Sequence, residues 1–136
     1  MLLFLSDSVK DPPYAIDGFA SQLQAAAAAQ ARRVGAYAGF TQSHKVQPDS
    51  VHAIRQSNGG ALVFGVIERT DTFTVKKAGS SLTSPKQFST LVPGRTRLTR
   101  KATMTTLEFV IFQVPKGSGQ ARLVAASEHL VAAAGS

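Results

Sequence analysis

The sequence predicts an α+β domain in which an N-terminal helix packs on a curved, cone-like, four-stranded antiparallel meander. Three observations predict it. The stretch "SQLQAAAAAQARRVG" combines strong helix propensity with signals at both ends. From Val51 onward the chain turns to Val-, Ile-, Phe- and Thr-rich runs suited to strands. Two turn signals, "SNGG" and "KGSG", divide those runs into hairpins.

Taken in order, "MLLFL" has the character of a short strand, and the two prolines of "SDSVKDPPY" separate it from the next segment. The helix is expected over residues 21 to 34. Ser21 and Gln24 form a capping box, Arg32 and Arg33 suit the negative end of the helix dipole, and Gly35 suits the C-terminal cap. Leu23, Ala27, Ala31 and Val34 share one helical face, which is expected to lie on the sheet. "AYAGFTQSHKVQPDS" reads as an irregular connector. "VHAIRQ", "ALVFGVIERTDTFTV", "TRLTRKATMTTLEFVIFQVP" and "ARLVAAS" are the four strands, and "EHLVAAAGS" is a tail or short helix.

The two long strands each have an apolar half and a Thr-rich half. Antiparallel pairing sets like against like, and the Pro-, Gly- and Ser-containing segment between them is poor material for the helical crossover that parallel pairing needs. With Val75 near Arg97, paired residue numbers sum to about 172 and even positions face even positions. Phe64 then lies near Glu108, and Glu68 near Met104.

A chain of 136 residues with 43% hydrophobic content makes one domain, residues 1 to 136, with a modest core. The formal net charge is +7 and the pI about 10.3, which favours anionic partners. The absence of cysteine removes disulfides, a thiol nucleophile and thiolate metal ligands. "MLLFL" is too short, and lacks the preceding basic region, for a signal peptide or a membrane span, so a soluble chain is expected.

"PYAIDGFA", "VHAIRQSNGGALVFGVIERTDTFT" and "FVIFQVPKGSGQARLVAAS" resemble the C-terminal part of an uncharacterised domain of actinobacterial secreted proteins and lipoproteins. The likeness runs over about residues 12 to 126, and the Gly-Gly hairpin and the Pro-Lys-Gly-Ser-Gly turn are its most specific parts. It implies an extracytoplasmic setting in the cell envelope and no particular reaction. The lipoprotein signal and the longer N-terminal half of that family are missing here, so the chain is expected to be a truncated copy or the C-terminal portion of a longer protein. The order of elements is similar to the nuclear-transport-factor-2-like cone.

Few residues suggest chemistry. His44, His52 and His129 have no spacing that pairs them with each other or with a carboxylate as metal ligands, and neither a metal nor a cofactor is expected. No nucleophile elbow, phosphate loop or dinucleotide fingerprint is present. On the register above, Glu68 and Glu108 share an apolar concave face with Phe64, Met104 and Phe112, a candidate pocket with a general base. The plainer alternative is that a bulge turns one glutamate outward, or that Arg69 or Arg122 pairs with it.

Residues 76 to 101 hold seven of the fifteen Lys and Arg residues, and no Asp or Glu lies between Asp71 and Glu108. Lys76, Lys77, Arg95, Arg97 and Lys101 are the candidate contacts for a polyanion, with the plainer reading a solvated strand and basic loop. Phe88 is the only aromatic residue there, too little for a nucleic-acid stacking platform. The expected function is therefore a non-catalytic envelope domain that binds a ligand or partner: anionic polymers, anionic lipids or another domain of a longer chain, without sequence-specific nucleic-acid binding. A small cone-fold enzyme using Glu68 or Glu108 is the alternative, and a weak polyanion-binding module the second.

Overall fold

A computed structural model gives the fold. It describes residues 14–15, 25, 28–29, 32–33, 35, 38–84, 86–94 and 97–136. The elements are β1 (Tyr14–Ala15), β2 (Ala38–Val46), a 3₁₀ turn (Pro48–Ser50), β3 (His52–Arg55), β4 (Ala61–Val75), β5 (Leu82–Thr83), α1 (Lys86–Leu91), β6 (Arg97–Leu98), β7 (Lys101–Val114) and β8 (Ala121–Gly135). Six strands form one sheet in the order β1-β8-β7-β4-β2, with β3 also on β4, and β5 and β6 pair separately.

The molecule is therefore mostly β, and the α+β expectation is corrected. Among the described residues the one continuous helix is the short α1, and no N-terminal helix packs on the sheet. In the segment expected to be that helix, Ala25, Ala28, Ala29, Arg32 and Arg33 have helical backbone, but only Ala29 is even half-buried. Leu23, Ala27, Ala31 and Val34 lie outside the described residues. Alanine supplies local propensity, but a stripe of methyl groups offers little apolar area to hold a helix on a sheet. No described helix is long and apolar enough to cross a membrane.

The two long strands do pair antiparallel, from Ala61↔Val114 to Thr74↔Lys101. The register differs from the expected one by three residues. Val75 N–H donates to Arg100 O at 2.8 Å, so the segment between the strands closes nearer Lys101 than Arg97. That odd offset places even residues of β4 beside odd residues of β7, so the predicted shared faces separate.

β2 and β3 divide one edge of β4 between them: β2 pairs with Ile67–Val75 and β3 with Ala61–Phe64. The 3₁₀ turn bridges the step. Gln47 N–H donates to Val66 O at 2.9 Å, and Val66 N–H donates to Ser50 Oγ at 2.8 Å, so a side chain keeps the ladder occupied at the corner. The β3–β4 turn uses Gly59 at φ +85°, a conformation that favours glycine.

One face of the sheet carries the core in three bands. At the β3 end, Ile67, Val110 and Leu123 pack with Phe112, Ala121 and Ala126. At the other end, Phe73 and Ala102 meet Phe88 and Leu98 from the β4–β7 connector. That connector folds back onto the sheet through α1 and the β5–β6 pair, and leaves Phe88 fully buried. The approach is close at Gly135, where a Cβ would stand 2.7 Å from Leu98 and 3.0 Å from Phe88. Between the two apolar bands lies a polar one.

Candidate functional site

The polar band is assembled from four strands by register. His44 on β2 stands opposite Arg69 on β4, and Gln42 opposite Asp71. Arg69 stands opposite Thr106 on β7, and Glu108, two residues along, stands opposite Glu128 on β8. All these side chains fall on the core face, because each strand turns alternate residues inward.

Arg69 is the hub. Its Nη1 donates to Glu108 Oε1 at 2.6 Å and to Glu128 Oε1 at 2.8 Å, and its Nε donates to Asp71 Oδ2 at 3.1 Å. Gln42 Nε2 donates to the other Asp71 oxygen at 2.7 Å. Arg69, Asp71, Thr106 and Glu108 are buried, Glu108 completely, whereas the Glu128 side chain is 41% exposed. One guanidinium thus serves three carboxylates, in the planar fork geometry that suits arginine to buried pairs.

The surroundings shift three ionisations. Burial opposes the charge on Arg69, but Asp71, Glu128 and Glu108 outweigh it and hold the guanidinium above its ordinary range. Burial pushes the Glu108 carboxyl up. Arg69 pulls it the other way, and Glu128 adds to the rise. Burial, with nearby positive charge that includes Arg69, lowers His44 to about 4, so it is neutral at physiological pH.

The predicted acid–base pair is not assembled. Glu68 lies on the opposite face of the sheet from Glu108, beside Lys45 and Leu107, and is half-buried. Glu108 is engaged by Arg69, the partner that the plainer alternative named. The predicted pocket is also dispersed. Phe64 is on the outer face opposite Ile111, Met104 packs with the Phe73–Phe88 cluster, and Phe112 packs with the Ile67–Val110 cluster. Sequence reading missed Asp71, Glu128 and Gln42 as members of the band. With the β2–β4, β4–β7 and β7–β8 registers in hand, their inward positions follow directly; without them no signal marks them out.

The cations gather at the opposite extreme of accessibility. Lys76, Lys77, Arg97 and Lys101 are exposed at the end of the sheet where β4 stops and β7 starts, joined there by Lys86 and Arg100. Lys76 Nζ donates to Gly35 O at 2.8 Å. Arg95 lies outside the described residues. Phe88, the one aromatic residue of this stretch, faces the core and offers no surface for stacking.

Beside Lys101 the outer face carries a hydroxyl array, because Thr41, Thr72 and Thr103 are aligned across three strands and Ser43, Thr70 and Thr105 form the next row. A shallow hollow of about 300 Å³ is lined by Lys101, Thr103, Ala134, Gly135 and Ser136. A second groove, of about 360 Å³, runs between α1 and β8 and is lined by Thr90, Leu91, Glu128, His129 and Leu130. Among the described residues no group of His, Asp and Glu is arranged to hold a metal ion.

Residues 14–135 match the family described as a domain of unknown function (DUF8094). No curated protein and no solved structure matches the chain.

Proposed function

The chain belongs to the DUF8094 family, and from that premise we propose that it is a non-catalytic domain of the cell envelope whose basic end binds an anionic polymer. The observation that carries the reading is the segregation of charge. Asp71, Glu108 and Glu128 are tied to Arg69 on the inner face, while Lys76, Lys77, Lys86, Arg97, Arg100 and Lys101 stand exposed with no acidic residue between Asp71 and Glu108. Drawing carboxylates inward leaves the surface more positive than composition alone would make it.

Threonine hydroxyls beside Lys101 fit the same ligand class, a chain of phosphate or carboxylate groups on a hydroxylated backbone. The envelope setting rests on the resemblance of the hairpin and Pro-Lys-Gly-Ser-Gly turn to actinobacterial secreted proteins and lipoproteins. A catalytic reading draws no support, since Glu108 is buried against Arg69 and Glu68 faces the other way.

Retention on immobilised heparin, as a stand-in polyanion, tests the reading. Retention should fall steeply as salt rises, since binding releases condensed counterions. Charge reversal at Arg97 and Lys101 together should bring elution to markedly lower salt, with reversal at Lys116 as the control. Retention insensitive to salt, or equally reduced by the control, would refute the reading.

A further inference from the structure

The outer edge of β8 is the longest open strand edge among the described residues. Among the described residues, β1 pairs with Ala121 and Arg122, and no other strand pairs with this edge of β8, which continues to Gly135. In an antiparallel ladder every second residue aims both its N–H and its C=O away from the partner, so this edge presents a row of backbone donors and acceptors.

Two features shape that edge. Register shifts against β7 lie between Thr105 and Thr106 and between Ile111 and Phe112, and they leave Val131 and Val124 as the extra residues of two bulges. Both valines are 47% exposed. Bulges bend a strand and interrupt pairing, so they confine regular edge geometry to Ala125–Leu130. Directly over that interval, α1 overhangs the inner face and makes the groove of Thr90, Leu91, Glu128, His129 and Leu130.

The groove has a chemical preference. Glu128 gives one oxygen to Arg69, which fixes the carboxylate, and its other oxygen takes no hydrogen bond from the described residues. Three carboxylates around one guanidinium leave this spot acidic on a chain of net charge +7. Leu91, 43% exposed, and Leu130 supply apolar wall on either side.

We propose that β8 accepts an extended peptide segment as an added strand along Ala125–Leu130, with a Lys or Arg side chain of that segment in the groove against Glu128. Main-chain hydrogen bonds give the contact its strength, and the carboxylate selects the residue beside it. A single strand suits a groove of about 360 Å³ under an overhanging helix. A second copy of the chain would be a bulkier occupant, and would bring another Glu128 to the same interval.

The test uses the full chain and a blocked, fluorescein-labelled peptide that alternates Val and Thr with one central Lys, read by fluorescence anisotropy. Three changes should each weaken binding by roughly tenfold or more: Glu in place of the Lys, N-methylation of the peptide at alternate backbone nitrogens, and Glu128→Gln in the protein. Leu91→Lys, at a helical position 43% exposed, should do the same and guards against misfolding of the Glu128 variant. Heparin should not compete. The proposal is overturned if N-methylation has no effect, if the Glu peptide binds as well as the Lys peptide, or if heparin displaces the peptide. Sedimentation as a dimer with protected β8 amides and no peptide would assign the edge to a second copy instead.

Discussion

The Arg69 band and the basic connector end use the same residue types to opposite effect. In the band, one buried cation faces three carboxylates at hydrogen-bond distance, and its worth lies in the cost of leaving Asp71 or Glu108 alone in the interior. At the connector end, at least six exposed cations have no acidic neighbour in sequence, and their worth lies in what they attract from solution. Burial decides which of these roles a charge takes. The band ties four strands into one register, whereas the connector end adds little to the fold beyond Phe88 and Leu98.

The sharpest way to break the comparison is to remove the hub. Arg69→Met leaves Glu108 and Asp71 buried without their cation and should destabilise the fold by about 3–5 kcal/mol. Urea unfolding gives the value; a loss below about 1 kcal/mol would make the band incidental to stability. Next in size, Phe88→Ala opens a cavity where the connector meets the sheet, with an expected loss of about 3 kcal/mol. A connector that contributed only charge would tolerate that change.

Smaller, and opposite in sign to each other, are two pH effects within the band. The folded state holds His44 near 4 against an ordinary 6.5, so acidification lets the unfolded chain take a proton that the folded one refuses. Stability is therefore lost as pH falls from 6.5 to about 4, and His44→Gln should flatten that limb. Glu108 is shifted upward from 4.5, and a raised carboxyl contributes stability below its unfolded value that is lost as pH rises through the folded one. Its slope opposes that of His44, so Glu108→Gln should steepen the acid limb. Denaturation midpoints across this range, with both variants moving the limb the same way, would show the assignments to be wrong.

The smallest stability effect belongs to the connector end. Lys77→Gln or Arg97→Gln should leave unfolding within about 0.5 kcal/mol of the parent. Each change should nonetheless lower the salt slope of heparin binding by about one unit if the residue contacts an anionic group. A change that altered stability but not the slope would place that residue with the fold rather than the surface.

Legibility in the sequence divides in the same way, between local and cross-strand information. Antiparallel pairing of β4 and β7 could be read from their matching apolar and threonine halves. Its register could not, because the connector forms its own strand pair and helix before closing at Arg100. A three-residue error in register inverts parity, and with it the grouping of Glu68 with Glu108 and of Phe64 with Met104 and Phe112. β2 escaped notice because its inward positions include Gln42 and His44, polar residues that belong to the Arg69 band and erase the apolar alternation of a strand. The end of β8 was obscured differently. "LVAAAG" has helical composition, yet its pairing with β7 overrides propensity. Of the resemblance, the uncharacterised domain holds, with DUF8094 over residues 14–135, whereas a mostly β chain gives no support to the nuclear-transport-factor-2-like cone.

The connector also sets an order of events. β7 and β8 are joined by residues 115–120 alone, whereas β4 and β7 meet only after residues 76–100 have been closed into a loop. Loop closure becomes more costly with length, though slowly, and contacts between distant residues are the slow ones to form. The β7–β8 hairpin can thus form before β4 docks on β7. It displays Glu108 and Glu128 side by side, two like charges in search of one cation. Arg69 can reach them only when β4 docks in its final register, so the ion network acts as a late checkpoint on correct strand pairing, and a slipped β4 leaves that pair of carboxylates facing each other.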